Sequence, residues 1–98
     1  MIVEFSQEAE SDIERIADYI ARDNPNRALS FIRELRVKCE TLAAMPTGFP
    51  LVPRYEQYGI RRRVHGAYLI FYRVYEGPVV IVHILQGAMD YTAILSVD

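Results

Sequence analysis

Residues 68–90 read Tyr68-Leu-Ile-Phe-Tyr-Arg-Val-Tyr75, Glu76-Gly-Pro78, Val79-Val-Ile-Val-His-Ile-Leu85 and Gln86-Gly-Ala-Met-Asp90. Two runs rich in β-branched and aromatic residues flank a Gly-Pro turn signal, the pattern of two adjacent antiparallel strands. Each run is apolar at odd and even positions alike. Both faces of these strands are therefore covered, and they lie in the middle of a sheet.

Upstream of this hairpin, residues 60–65 alternate in character and read as a third strand, with Gly66 closing a tight turn. Residues 45–59 contain three of the five prolines and two of the five glycines. They form an ordered loop, anchored by the rings of Tyr55 and Tyr58. Before it, Ala28, Ile32, Leu35, Cys39 and Leu42 recur at helical spacing, as do Ala9, Ile13, Ile16, Ala17 and Ile20. Ser6 is the expected cap of the first helix, with Glu8, Glu10 and Asp12 near the positive end of its dipole. Asn24-Pro25 ends that helix and starts the next, since Asn caps and Pro suits the first helical position. So short a joint makes an antiparallel helical hairpin. Residues 2–5 are a short first strand. The order strand, helix, helix, three-stranded meander predicts an α+β fold in one domain over residues 1–98. Where the first strand joins the sheet is left open at this point.

The chain has 98 residues, about half of them apolar, enough for a modest core. No apolar run approaches the roughly 18 residues needed to cross a bilayer. The N-terminal residues lack the pattern of a signal peptide, and the lone Cys39 reads as a core residue. A reducing cytoplasm is the expected compartment. Charge is uneven on a net −2: residues 1–24 carry seven acids and two bases, whereas residues 51–75 carry five bases and one acid. The basic stretch can receive an acidic partner peptide or a phosphate backbone, but the field of an acidic protein does not steer it strongly to nucleic acid, and no sequence-specific nucleic acid binding is expected.

The two histidines, His65 and His83, and the single cysteine show no metal-ligand spacing, and no phosphate loop is present; no cofactor is expected. His65 reads as a solvated turn residue and His83 as a hydrogen-bonded sheet residue. Arg61, Arg62 and Arg63 are the most informative polar run. On a strand the first and third share a face, where they either keep an edge strand soluble or pair with carboxylates of a bound peptide. Arg73, among aromatics, needs a partner if buried and joins the same candidate site.

Taken together, Ser6, Asp12-Ile13, Ile16, Tyr19-Ile20, Met45-Pro46 with Gly48, the arginines at 61–63, residues 68–74 and residues 84–90 make the chain similar to the RelE/ParE toxin superfamily of type II toxin–antitoxin systems, and more closely to its ParE branch. The resemblance spans nearly the whole chain through the order of these motifs. It departs at Gln86, where many relatives have His. The resemblance implies a toxin that inhibits DNA gyrase by binding and is neutralised by a cognate antitoxin, with Arg61, Arg63 and Arg73 as antitoxin contacts. It also implies that Asp90, Tyr91, Ile94 and Leu95 act on the target; residues 91–98 read as an exposed tail removable without opening the sheet, although Ile94 and Leu95 cover some apolar surface. Asp90 would cap a short terminal turn there. Ribonuclease members of the superfamily are the alternative, but Leu69, Tyr91 and Leu95 stand where their cations or acid–base groups fall, and the only lysine is Lys38. No catalytic residue is therefore assigned. A non-toxic interaction module of the same fold is the third reading.

Overall fold

A computed structural model of the protein describes residues 2–74 and 76–95. Strand β1 (Val3–Phe5) leads into helices α1 (Gln7–Ala21) and α2 (Pro25–Glu40), followed by two short 3-10 turns at Thr41–Ala44 and Glu56–Tyr58. Strands β2 (Arg61–His65), β3 (Tyr68–Val74) and β4 (Val79–Gln86) complete the fold. The helices begin where side chains can satisfy their first N–H groups. The Ser6 hydroxyl accepts from Ala9 N–H, and Asn24 Oδ1 accepts from Arg27 N–H with Pro25 at the first helical position.

The sheet order is β1-β4-β3-β2. β2, β3 and β4 form the expected antiparallel meander, while β1 runs parallel to β4 in the register Val3↔Val79 to Phe5↔Ile81. The position left open by the sequence is thus an edge beside β4, and β3 and β4 are interior. Gly66 takes φ +59°, a left-handed conformation that a Cβ would strain, and turns β2 into β3.

Both faces of the sheet are covered, as the uninterrupted apolar runs require. On one face Ile70, Tyr72, Val79, Ile81 and Ile84 meet Ala9, Ile13 and Ile16 of α1 and Phe31, Leu35 and Cys39 of α2. Burial accounts for most of the rise of the Cys39 thiol to about 12, so this cysteine is a core residue as expected. On the other face Leu69, Phe71 and Leu85 are covered not by helices but by irregular chain: Val52 and Ile60 from the loop, and Leu95 near the end of the described residues. The proline-rich loop thereby acts as the sheet's second layer. Tyr55 packs there and its hydroxyl donates to Thr92 C=O, while Tyr58 lies more exposed, 6.5 Å from the Tyr55 ring.

The exposed tail is corrected by this arrangement. Leu95 is only 2 % exposed, and Tyr91 lies against Phe71 with ring centroids 4.9 Å apart. Residues 96–98 lie outside the described residues, as does Tyr75 at the end of the expected central strand. The apolar side chains at 91 and 95 are spaced by one helical turn. That lets both reach the sheet from a single turn in which Leu95 N–H bonds Tyr91 C=O.

Candidate functional site

Strand β2 places its arginines on two faces, as strand geometry demands. Arg61 and Arg63, paired with Tyr72 and Ile70, point to the helix side. There Arg61 Nη1 donates to Phe49 C=O at 2.7 Å, and Arg63 Nη1 donates to Thr41 Oγ1 at 2.6 Å and Lys38 C=O at 3.1 Å. Arg63 also lies 4.6 Å over the Phe49 ring. These two side chains tie the end of α2 and the start of the loop to the sheet, a task unreadable from a run of three arginines. Each makes these contacts through Nη1, leaving further guanidinium N–H groups for an outside acceptor. The outer edge of β2 is partly covered by Leu51, which bridges to Arg61, and by Pro50, whose C=O accepts from Arg62 N–H.

Arg62 points to the opposite face, where its Nη1 meets the Tyr91 hydroxyl at 3.2 Å. Asp90 Oδ1 accepts from both Thr92 Oγ1 and Thr92 N–H, as a residue opening a turn does. The hydroxyl's hydrogen bond, foremost, holds the Asp90 carboxyl below its usual range. Ile94 is exposed beside them. Of the target-interaction candidates, Asp90 and Ile94 therefore face solvent, Tyr91 is half-buried and Leu95 is core. Arg73 also lies off the helix side, lining a groove with Ile60, Val82, His83, Ile94 and Leu95. The three antitoxin candidates thus do not share a face: Arg61 and Arg63 lie on the helix side and Arg73 on the other.

The strongest polar cluster involves a residue the sequence reading treated as a helix-dipole acid. Asp12, 2 % exposed, accepts from Ile84 N–H at 2.9 Å and from Arg15 Nη2 at 2.8 Å, and lies 2.8 Å from His83 Nδ1. The pairing between β3 and β4 slips here: Phe71 faces His83 and Tyr72 faces Ile81, so Val82 has no partner. β1 accompanies β4 only from Val79 to Ile81, and beyond it Asp12 of α1 supplies the acceptor for Ile84 N–H. His83 is the hydrogen-bonded sheet residue expected. His65 is not a solvated turn residue, because its ring packs on Phe31 at 5.1 Å and burial, foremost, lowers its pKa. The sequence signal for Asp12 is its spacing: one residue before Ile13 and three after Ala9, it falls within the apolar stripe.

Among the described residues no group of three or more His, Cys, Asp or Glu side chains could hold a metal ion. No described helix is long and apolar enough to cross a membrane. The surface offers guanidinium groups on both sides of the sheet and exposed apolar side chains, Tyr19 and Met89 among them, equipment for binding protein segments.

The family model of the ParE toxin of the type II toxin–antitoxin system parDE matches residues 3–91. No curated protein matches. Among solved structures, the chromosomal ParDE TA system from P. aeruginosa is similar, with a TM-score of 0.74 and 20 % identity over 88 % of this chain and 95 % of that one. That likeness shows a shared α+β fold, with the strand, helical hairpin and meander described above, and the family model reaches from the first residue of β1 into the turn that holds Tyr91. The chain belongs to the ParE toxin family of type II toxin–antitoxin systems.

Proposed function

We propose that this protein is a toxin that acts by binding DNA gyrase, without catalysis, in the cytoplasm, and that a cognate antitoxin neutralises it. The observation that carries the non-catalytic reading is the disposition of the β2 arginines. Stabilising a phosphodiester transition state takes several cations converging on one point. Here Arg61 and Arg63 sit on one face, bonded to carbonyls of residues 38–49, and Arg62 sits on the other, bonded to Tyr91. They brace the fold from two sides.

Membership of the ParE family supports an antitoxin partner, and the local excess of base over acid in residues 51–75 supports an acidic segment that orders as it binds. Arg61, Arg63 and Arg73 are its proposed contacts. Asp90, Tyr91, Ile94 and Leu95 are the proposed target-interaction residues, of which Asp90 and Ile94 can be contacted directly. Induced expression with parallel labelling of DNA and protein synthesis tests the reading. Gyrase inhibition provokes DNA damage while translation continues; an early stop in translation would instead establish an mRNA endonuclease, and neither effect a non-toxic module.

A further inference from the structure

Arg54 holds a backbone conformation that an arginine has no local reason to adopt. Its φ is +76°, in the left-handed region, where glycine is the low-energy choice and a Cβ is strained. Elsewhere the chain meets the same demand with glycine, at Gly59, Gly66 and Gly77; among the described non-glycine residues only Glu76 joins Arg54 there. The demand comes from a turn. Tyr55 N–H donates to Val52 C=O at 3.0 Å, with Pro53 second and Arg54 third, the pattern of a type II turn, whose third residue is ordinarily Gly or Asn. The turn is also a firm mount. Val52 is 1 % exposed in the cluster with Ile60 and Phe71, Pro53 fixes its own φ, and the Tyr55 hydroxyl donates to Thr92 C=O at 2.9 Å. Arg54 itself is exposed and, among the described residues, makes no hydrogen bond, ion pair or ring contact, not even with Glu56 two positions on. The other bases of residues 51–75 are engaged: Arg61 and Arg63 donate to backbone carbonyls, Arg62 to the Tyr91 hydroxyl, and Arg73 has a partner as well. Arg33 is equally exposed and unpaired, but it stands within α2, where arginine is a good helix former and its presence costs nothing. A residue kept at a surface site where it is strained points to work done by its side chain.

We infer that Arg54 is the guanidinium that receives a carboxylate of the acidic antitoxin segment. The inference rests on the antitoxin reading above and deepens it, since the arginines named there already spend donors on the fold. A guanidinium with no internal partner keeps all its N–H groups, and its fork matches a carboxylate bidentately. The turn beneath it is already ordered by Pro53 and by the hydrogen bonds of Tyr55, so little backbone freedom is lost when the pair forms. The loop that covers the second face of the sheet thus also presents the charge that its partner reads.

The test measures affinity of the full-length chain for its cognate antitoxin, purified after co-expression, by calorimetry at low and high salt, together with the melting temperature of each free variant. Arg54→Gly and Arg54→Asn both suit a left-handed residue, so each should melt at or above the wild-type temperature while binding about tenfold more weakly. The deficit should shrink as salt screens the pair. Arg54→Lys should regain only part of the affinity, because an ammonium has no fork. Arg33→Ala, which removes the same charge from α2, should bind as the wild type does. Unchanged affinity in both Arg54→Gly and Arg54→Asn overturns the inference, and so does an equal loss in Arg33→Ala, which would reduce the effect to net charge. A lowered melting temperature in both variants also overturns it, because Arg54 would then be holding its own loop. In each of those cases the wild type still binds and the antitoxin reading stands; a wild-type chain that no antitoxin binds refutes that reading, and this inference with it.

Discussion

Replacing Asp12 by Ala removes a carboxylate that is 2 % exposed and joins α1 to β4. The substitution leaves the buried Ile84 N–H without an acceptor, which costs about 1–3 kcal/mol by itself. It also strands His83 Nδ1, previously 2.8 Å from Oδ2. The Arg15 contact adds little, because that side chain is 65 % exposed and water can replace its partner. Breaking a buried, hydrogen-bonded charge from one side typically costs about 3–5 kcal/mol, and we expect that range here. Since a domain of this size has about 5–15 kcal/mol in total, the variant should be marginally folded. Urea unfolding followed by far-UV circular dichroism measures the loss, with Arg15→Ala as control at under about 1 kcal/mol. Asp12→Asn should fall between them, because one carbonyl can still accept from Ile84 N–H. A cycle with His83→Ala should show coupling of about 0.5–3 kcal/mol. The reasoning is refuted if Asp12→Ala costs under about 1 kcal/mol, or if Arg15→Ala costs as much.

Deleting residues 91–98 uncovers Phe71 and Leu85 and should lower stability by at least the roughly 2–5 kcal/mol expected for Leu95→Ala; an unchanged melt would return the tail to the surface. Tyr72→Ala should cost about 3–5 kcal/mol, whereas Tyr72→Phe, which keeps the ring and loses the hydroxyl's bond to Pro46 C=O, should cost about 0.5–1.5 in the same assay. Cys39, its thiol raised to about 12 by burial, should resist iodoacetamide at about pH 8 until urea unfolds the chain; rapid labelling of folded protein would contradict its core position. His65 has its pKa lowered in the fold, so the unfolded chain takes up the proton first as pH falls below about 6.5. Stability should decline from there and level off once the folded state protonates, and His65→Gln should remove that part of the decline in urea midpoints measured across the range.

The meander was legible because turn chemistry and apolar runs are local signals. Gly66 and the Gly77-Pro78 pair mark the turns, and the doubly apolar runs at 69–72 and 79–85 mark strands covered on both sides. The two helices were legible for the same reason, down to their caps at Ser6 and Asn24. The parallel seat of β1 was not, because three residues carry no record of which edge will accept them. The tertiary contacts of Asp12 and of the arginines at 61 and 63 were not legible, for a common cause. A charged residue read by itself looks solvated, and only the tertiary fold brings the Ile84 N–H or the Phe49 C=O within reach of it. Leu95 was undervalued for a different reason: its burial depends on a loop-covered sheet face that no periodicity announces.

The pairing of β1 with β4 has a consequence for how the protein comes into being. Residue 3 meets residue 79, so the seam closes a loop of some 75 residues, at an entropic cost of about 4 kcal/mol in the simplest polymer estimate. Until β4 has left the ribosome, the helical hairpin lacks the strand that sets Val79, Ile81 and Ile84 against Ile13, Ile16, Leu35 and Cys39. At a synthesis rate of roughly 5–20 residues per second, the span from the end of α2 at residue 40 to the end of β4 at residue 86 takes about 2–9 s. During that interval the nascent chain exposes an oily helical pair with its cover incomplete, a window in which a chaperone or a waiting protein segment can engage the toxin before it is complete.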